Sequence, residues 1–414
     1  MLFTHCYLSR ASFFFCLWAV MPLRHYTIFH ILRFICETYM FEKKLFDYKG
    51  LEVRVSDYAN EGILGILNHA VQGSEGGLRF SLQNIAPRIA AYKDQIRFVS
   101  LYKKNQITGT VGSCYRVSGQ GNLQFPSSYL RYLAFQSTYQ SDSGWRKRRK
   151  ELIKHEKDDS FKQKTLEIFS KPHLLDLHDV FEGDKHVMYA FLESMNERSK
   201  NLVHQAGYEY IRSFLTVAFS RFSPKSDKRV SRLRDEEKPE MKSLLLEYYN
   251  DYSFFSTDYA FFGDKYYILK EGNEIIAGVT TIPSVYKVYD IPGVWGWVMM
   301  KVLSKTPYFR RLFRPGEFRY LVFDAIYCRK GREDLLGKLF ESVCAAEGFN
   351  TGLTWLDDHS QLYDKMRTVV KMGALNRMLN AKPGLVYSRF INLSEKEKEY
   401  FYNAPAYISG FDFS

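Results

Sequence analysis

Cysteine is scarce in this 414-residue chain. Of six in all, Cys6, Cys16 and Cys36 fall in the first 36 positions, and Cys114, Cys328 and Cys344 are scattered through the rest. With no CxxC pair and no regular spacing, neither a disulfide framework nor a structural zinc is indicated, and a reducing compartment is the default. His155, His186, His204 and His359 show no metal-ligand spacing, and no nucleophile-elbow pattern supports a Ser/His/Asp arrangement, so no metal is expected. Long apolar runs are missing as well. FFFCLWAVM (13–21) is short for a membrane span, Arg10, Arg24 and Arg33 interrupt its surroundings, and no signal-cleavage site is clear. Residues 1–39 therefore read as an N-terminal extension outside the fold, with Met40 opening the folded protein and an amphipathic membrane anchor as the competing reading.

Acid is in deficit too: 46 Asp and Glu face 58 Lys and Arg, a net charge of +12. That balance suits anionic partners such as phosphorylated cofactors, nucleic acid or an acidic membrane surface. The densest basic run, WRKRRK (145–150), has no aromatic stacking series or nucleic-acid motif beside it, which disfavours nucleic acid. A solvated helix face is the plain alternative. A content of 46% apolar and 16% aromatic residues excludes a disordered chain.

What the chain does have is an echo. RYLAF (131–135) returns as RYLVF (319–323). Each follows a hairpin signal, FVSLYKKNQITGTVGSCYRV (98–117) and YYILKEGNEIIAGVTTIPSVYKV (266–288), with Asn105 or Asn273 at the turn and Gly109 or Gly278 in the second run. Upstream, LEVRVSD (51–57) answers RVSRLRD (229–235); downstream, helical stretches run to Gly207 and Gly373, and FSRF (219–222) answers YSRF (387–390). The order of landmarks implies two diverged domains, 40–222 and 229–414, joined by the polar, Pro-containing linker 223–228.

The order of elements, and the stretch NERSKNLVHQAGY (196–208) after the apolar run HVMYAFLES (186–194), resembles the GCN5-related N-acetyltransferase (GNAT) family. Asn196, Ser199, Leu202, Gly207 and Tyr208 fall on the Asn, small, Leu, Gly and aromatic positions of its N-x-x-A-x-x-L-Y-E-K-x-G-F pattern. The resemblance implies an α/β fold of two tandem acyl-CoA N-acyltransferase-like domains, each a mixed, mostly antiparallel sheet flanked by helices. It implies that both pentapeptides form the fourth strand of their domain and lend backbone groups to the pantetheine arm of coenzyme A. Leu133, Ala134 and Leu321 would then be cofactor contacts. Strict alternation puts Tyr132 and Ala134, or Tyr320 and Val322, on one face and Arg131 and Leu133, or Arg319 and Leu321, on the other.

Where the family writes Q/R-x-x-G-x-G/A to cradle the pyrophosphate, this chain departs. SDSGWRKRRKELIKHE (141–156) keeps Gly144 but has Ser141 and Arg146 at the other two positions; CRKGREDLLGKLFESV (328–343) keeps Gly331 but has Cys328 and Glu333. Gly144, Arg146, Gly331 and Asn196 are the remaining cofactor candidates, and the run at 145–150 could bring side-chain cations to phosphate. For chemistry, the first copy has Val203 where the family's acid Tyr is expected, while the second offers Asp324 after RYLVF as base and Tyr363 in LYDK as acid, although Gly373 then lies too far downstream. An ordinary strand-end carboxylate and a packing aromatic are the plain readings of those two.

The implied activity is acyl-CoA-dependent N-acylation of an amine, N-acetylation first among the options, with acetyl-CoA or another acyl-CoA as donor and an unidentified acceptor. A non-catalytic binding module, or a membrane-associated acyltransferase using a lipid or long-chain donor, are the alternatives. The last draws on the insertion IPGVWGWVMMKVLSKTPYFRRLFRPG (291–316), whose aromatic and basic residues suit peripheral membrane contact through 294–314 or a helix packed on its own domain. Localisation is read as cytoplasmic or peripheral at a membrane.

Overall fold

Two long hairpins seed the sheet. Strand β4 (Ile96–Lys103) turns into β5 (Gln106–Gln120) at Lys104 and Asn105, both with positive φ, the pairing that a type I′ turn demands. Strand β10 (Tyr266–Glu271) turns into β11 (Glu274–Asp290) through Gly272, whose φ of 61° meets the type II′ requirement at the first central position. The computed structural model describes residues 41–73, 76–83, 85–121, 123–136, 159–175, 180–379 and 382–413. Gly144, Arg146, the run 145–150 and the segment 1–39 lie outside the described residues.

The other strands are β1 (Glu42–Tyr48), β2 (Leu51–Ser56), β3 (Arg79–Leu82), β6 (Leu123–Phe135), β7 (His186–Glu193), β8 (Glu209–Ser220), β9 (Val230–Arg232), β12 (Phe318–Cys328), β13 (Thr351–Asp357) and β14 (Gly384–Ile391). They form one sheet in the order β1-β2-β4-β5-β6-β7-β14-β8-β13-β12-β11-β10-β9, with β3 added beside β11. From Lys43 onward the chain is a single compact unit. Each half follows the same path, three antiparallel strands leading to a parallel pair, β6–β7 in the first and β12–β13 in the second. The last strands then change sides. β14, from the second half, lies between β7 and β8, and β8, from the first, lies between β14 and β13.

Helices α1 (Glu61–His69), α2 (Ala86–Ala91), α3 (Asp159–Ile168), α4 (Glu197–Gln205), α5 (Lys238–Tyr248), α6 (Gly293–Lys301), α7 (Leu336–Glu347), α8 (Gln361–Val369), α9 (Ala374–Leu379), α10 (Glu395–Asn403) and α11 (Gly410–Phe413) connect or cover these strands. Several starts were legible locally: Asn60, Asn196, Ser360 and Ser394 each accept a backbone N–H with their side chain at a helix N-cap. Gly207 ends α4 at φ 77°, the left-handed conformation that favours glycine. The apolar side chains of β12 split among three cores, Tyr320 and Val322 into one that also holds Phe411, Leu321 and Phe323 into another built with α7, and Ala325 and Tyr327 into a third with Tyr249 and Tyr407.

Candidate functional site

Each half carries one β-bulge on its fourth strand. In the first, the β5–β6 register slips between Thr110 and Gly112, and Tyr132 adopts φ 57°; in the second, the β11–β12 register slips between Gly278 and Thr280, and Ala325 adopts φ 44°. Both sit next to the point where the parallel pair parts. β6 and β7 are paired only from Ser127↔Val187 to Leu130↔Ala190, and β12 and β13 only at Leu321↔Gly352 and Val322↔Leu353. A strand that leaves its neighbour after a bulge presents a row of backbone groups into the gap, which is a place for an extended ligand.

The bulges correct the register expected from the echo. Superposing Tyr132 on Ala325 aligns RYLAF (131–135) with DAIYC (324–328), so RYLVF (319–323) lies five residues earlier on its strand. Both pentapeptides are on fourth strands, but Leu321 is the counterpart of Ser128 and not of Leu133. It is fully buried in the paired stretch before the gap. The bulge also overrides strict alternation: consecutive Arg131 and Tyr132 share a face, the guanidinium lying 3.8 Å from the ring centroid.

With that register, Arg131 and Asp324 occupy equivalent positions in the two halves and hold the same residue. The Phe411 backbone N–H donates to Asp324 Oδ2 at 3.0 Å, and Arg131 Nη1 donates to the Phe411 carbonyl at 3.3 Å. Helix α11 is drawn into the core around this point. Its Asp412 carboxylate accepts from Arg116 Nη2 at 2.6 Å and from Tyr92 Oη at 2.7 Å, and both members of the Arg116–Asp412 ion pair are buried. The Phe411 ring stacks on Tyr259 with centroids 4.1 Å apart, and Gly410 lies so flat on β12 that a Cβ would be 2.4 Å from Val322 Cγ1. Upstream, Ala406 N–H donates to Asp357 Oδ2 at 2.8 Å, and Arg212 grips the same carboxylate with two bonds of 2.8 and 2.9 Å. Arg116, Tyr92, Tyr407 and Asp412 were not singled out from sequence. Arg116 shares parity on β5 with Thr110, Cys114 and Ser118, a row that reads polar in the sequence and whose burial only the structure shows.

At the gaps the two halves differ. In the second, tyrosine hydroxyls fill the backbone groups around the bulge: Tyr407 Oη accepts from Ala325 N–H at 3.0 Å, Tyr266 Oη donates to the Ala325 carbonyl at 3.0 Å, and Tyr249 Oη donates to the Ile326 carbonyl at 2.6 Å. Tyr407 also donates to Asp324 Oδ1 at 2.5 Å. The turn beyond β12 is committed in the same way. Gly331 supplies its left-handed corner, and the adjacent cations pair with the hairpin acids, Arg329 with Glu274 and Arg332 with Glu271. In the first half, among the described residues, no side chain bonds to the backbone of 132–135. Leu133 is half-buried there and Ala134 buried.

Burial raises the Asp324 carboxyl above its ordinary value, against the pull of donors from Tyr407, Phe411 and Ala325. Tyr363, on α8, packs its ring against the α7-side core and does not meet Asp324, whose carboxylate points to the opposite face of the sheet with Tyr407 and Phe411. Asn196 is committed to the Ser199 N–H at 3.1 Å, and Val203 is buried in α4. Among the described residues there is no cluster of three or more His, Cys, Asp or Glu that could hold a metal.

No family model and no curated protein matches this sequence. Solved structures do. Crystal structures of Saccharomyces cerevisiae N-myristoyltransferase superpose with a TM-score of 0.51 at 10% identity over 86% of this chain and 86% of that one with bound myristoyl-CoA, and 0.52 at 11% identity over 84% and 82% with myristoyl-CoA and inhibitors. This chain has the N-myristoyltransferase fold. The mixed, mostly antiparallel sheet flanked by helices is present as the sequence led us to expect, and the two halves, each following the same strand path, share that one sheet.

Proposed function

We propose that the chain is an acyl-CoA-dependent N-acyltransferase in which the first copy, 40–222, takes the thioester and the second, 229–414, shapes the acceptor side. The difference between the two gaps carries this reading. Around Ala325 the backbone groups a pantetheine arm would use are already bonded to Tyr407, Tyr266 and Tyr249, and Arg329 and Arg332 of the second turn are paired with Glu274 and Glu271. Past Tyr132, among the described residues, no side chain bonds to the strand's backbone, and the sequence after it supplies Gly144, Arg146 and the rest of the 145–150 run for phosphate. Acyl transfer to an amine needs an amide-lined pocket for the carbonyl oxygen and a proton acceptor for the amine. The bulge at Tyr132–Ala134 is our candidate for the first. Asp324 stays the candidate for proton transfer, and Tyr363, on the other side of the sheet, is not expected to share in it.

The acyl donor is acetyl-CoA in the simplest version, with a longer acyl-CoA as the second version. Calorimetric titration of the full chain with acetyl-CoA and with myristoyl-CoA tests both. Micromolar binding with one site per chain supports the reading, and the tighter thioester sets the chain length. Two equal sites would overturn the division between copies. No binding of either would favour a fold retained without the chemistry.

A further inference from the structure

Between β11 and β12 the chain leaves the sheet for a helical excursion whose outer surface is unlike the rest of the molecule. Helix α6 buries Gly296 and Met299 on its inner side, Gly296 so closely that a Cβ would be 2.2 Å from the Ile291 carbonyl oxygen. Its outer side carries Val294, Trp295 and Trp297, which are 79%, 60% and 59% exposed. Val302 and Tyr308 continue the exposed apolar surface, the Tyr308 ring held in place by stacking on Phe222 at 4.0 Å. A helix that is apolar on both faces has its second face made for something other than water.

The charges identify what that is. From 291 to 316 the sequence has five cations, Lys301, Lys305, Arg310, Arg311 and Arg314, and no acid. Arg314 pairs with Glu317; the other four are exposed and, among the described residues, have no carboxylate partner. Arg377, also exposed, adds a cation from α9, which packs beside α6. Tryptophan and tyrosine beside unpaired Lys and Arg match the two layers of an anionic bilayer surface, the rings entering at the level of the headgroups and acyl boundary and the cations meeting lipid phosphates and carboxylates. No described helix is long and apolar enough to cross a membrane.

We propose that 293–314 is a peripheral docking element for anionic lipid bilayers, with Trp295 and Trp297 as the inserted anchors. The proposal stands whether or not the chain transfers acyl groups.

The test is sedimentation of the full-length protein with vesicles of phosphatidylcholine alone and of phosphatidylcholine with about one-third phosphatidylserine. Binding should be at least about tenfold stronger to the anionic vesicles and weaken with salt. Trp295→Ala with Trp297→Ala should lower it about tenfold, and Lys301→Glu, Lys305→Glu, Arg310→Glu and Arg311→Glu together should remove the preference for phosphatidylserine. All six side chains are exposed, so circular dichroism and the melting temperature should not change. Brominated phosphatidylcholine should quench tryptophan fluorescence in the wild type and much less in the double Trp variant. No vesicle binding, binding that both variants retain in full, or retention of the same residues by RNA in preference to vesicles would each overturn the proposal.

Discussion

At the scale of single residues, the chain spends charge where charge is costly to bury. Arg116 and Asp412 are both nearly inaccessible, and Tyr92 completes the carboxylate's coordination. Removing one member leaves the other buried and unpaired, so Asp412→Ala should cost about 3–5 kcal/mol, whereas Arg116→Met with Asp412→Leu should recover much of it. Urea unfolding of the three proteins checks this. His186 gives a second prediction. Fully buried, with Nε2 2.9 Å from Ser128 Oγ, it has its pKa pushed down by desolvation to about 4. The unfolded chain, with an ordinary value near 6.5, binds the proton first as pH falls. The contribution of His186 to stability is therefore fully present above about pH 6.5 and is lost as pH falls through about 4, by about 3 kcal/mol in all, and the decline between pH 6.5 and 5 should be absent in His186→Gln. These residues were not legible locally: parity on β5 sets Arg116 in the polar row with Thr110, Cys114 and Ser118, and nothing nearby shows that its partner lies almost three hundred positions on.

At the scale of elements, local chemistry and tertiary constraint divide cleanly. Hairpin turns and helix caps follow from residues within four positions of one another, and Lys104-Asn105, Gly272, Asn196 and Gly207 each do what their chemistry allows. The bulges do not follow from local sequence. Both fourth strands are apolar on either parity, so a one-residue slip has no signature, and the visible RYL echo invites a register five residues away from the structural one. The tail is held at the second bulge by Tyr407 and seated by Gly410. Gly410→Ala would place a methyl against Val322, and we expect a loss of about 1–3 kcal/mol from overpacking, with faster hydrogen exchange at Ala325 and Phe411 as the local readout. For catalysis, Tyr363→Phe should change turnover by less than about twofold, because its ring packs on the face of the sheet away from Asp324; a large loss in steady-state assays would restore it as the acid.

At the scale of the whole molecule, the exchange of β8 and β14 makes the halves interdependent. A fragment ending near 222 would leave β7 and β8 without the strand that lies between them, and a fragment starting near 229 would leave β13 without β8. We expect each alone to be aggregated or unfolded, from its exposed strand edges, and the two together to form one soluble particle, measured by size-exclusion chromatography and circular dichroism. Two independently folded fragments would contradict this. The sequence by itself determined the two hairpins, the capped helix that ends at Gly207, the repeated order of landmarks and the resemblance to acyl-CoA N-acyltransferases, because turn chemistry, capping and apolar periodicity act over a few residues. It also placed the aromatic and basic insertion. Only the tertiary structure decided that the last strands cross, that Arg131 and Asp324 are equivalent and hold one residue of the tail, and that tyrosines fill the gap beside Ala325. Those outcomes depend on register and long-range packing, where residues hundreds of positions apart meet and no short stretch records the choice.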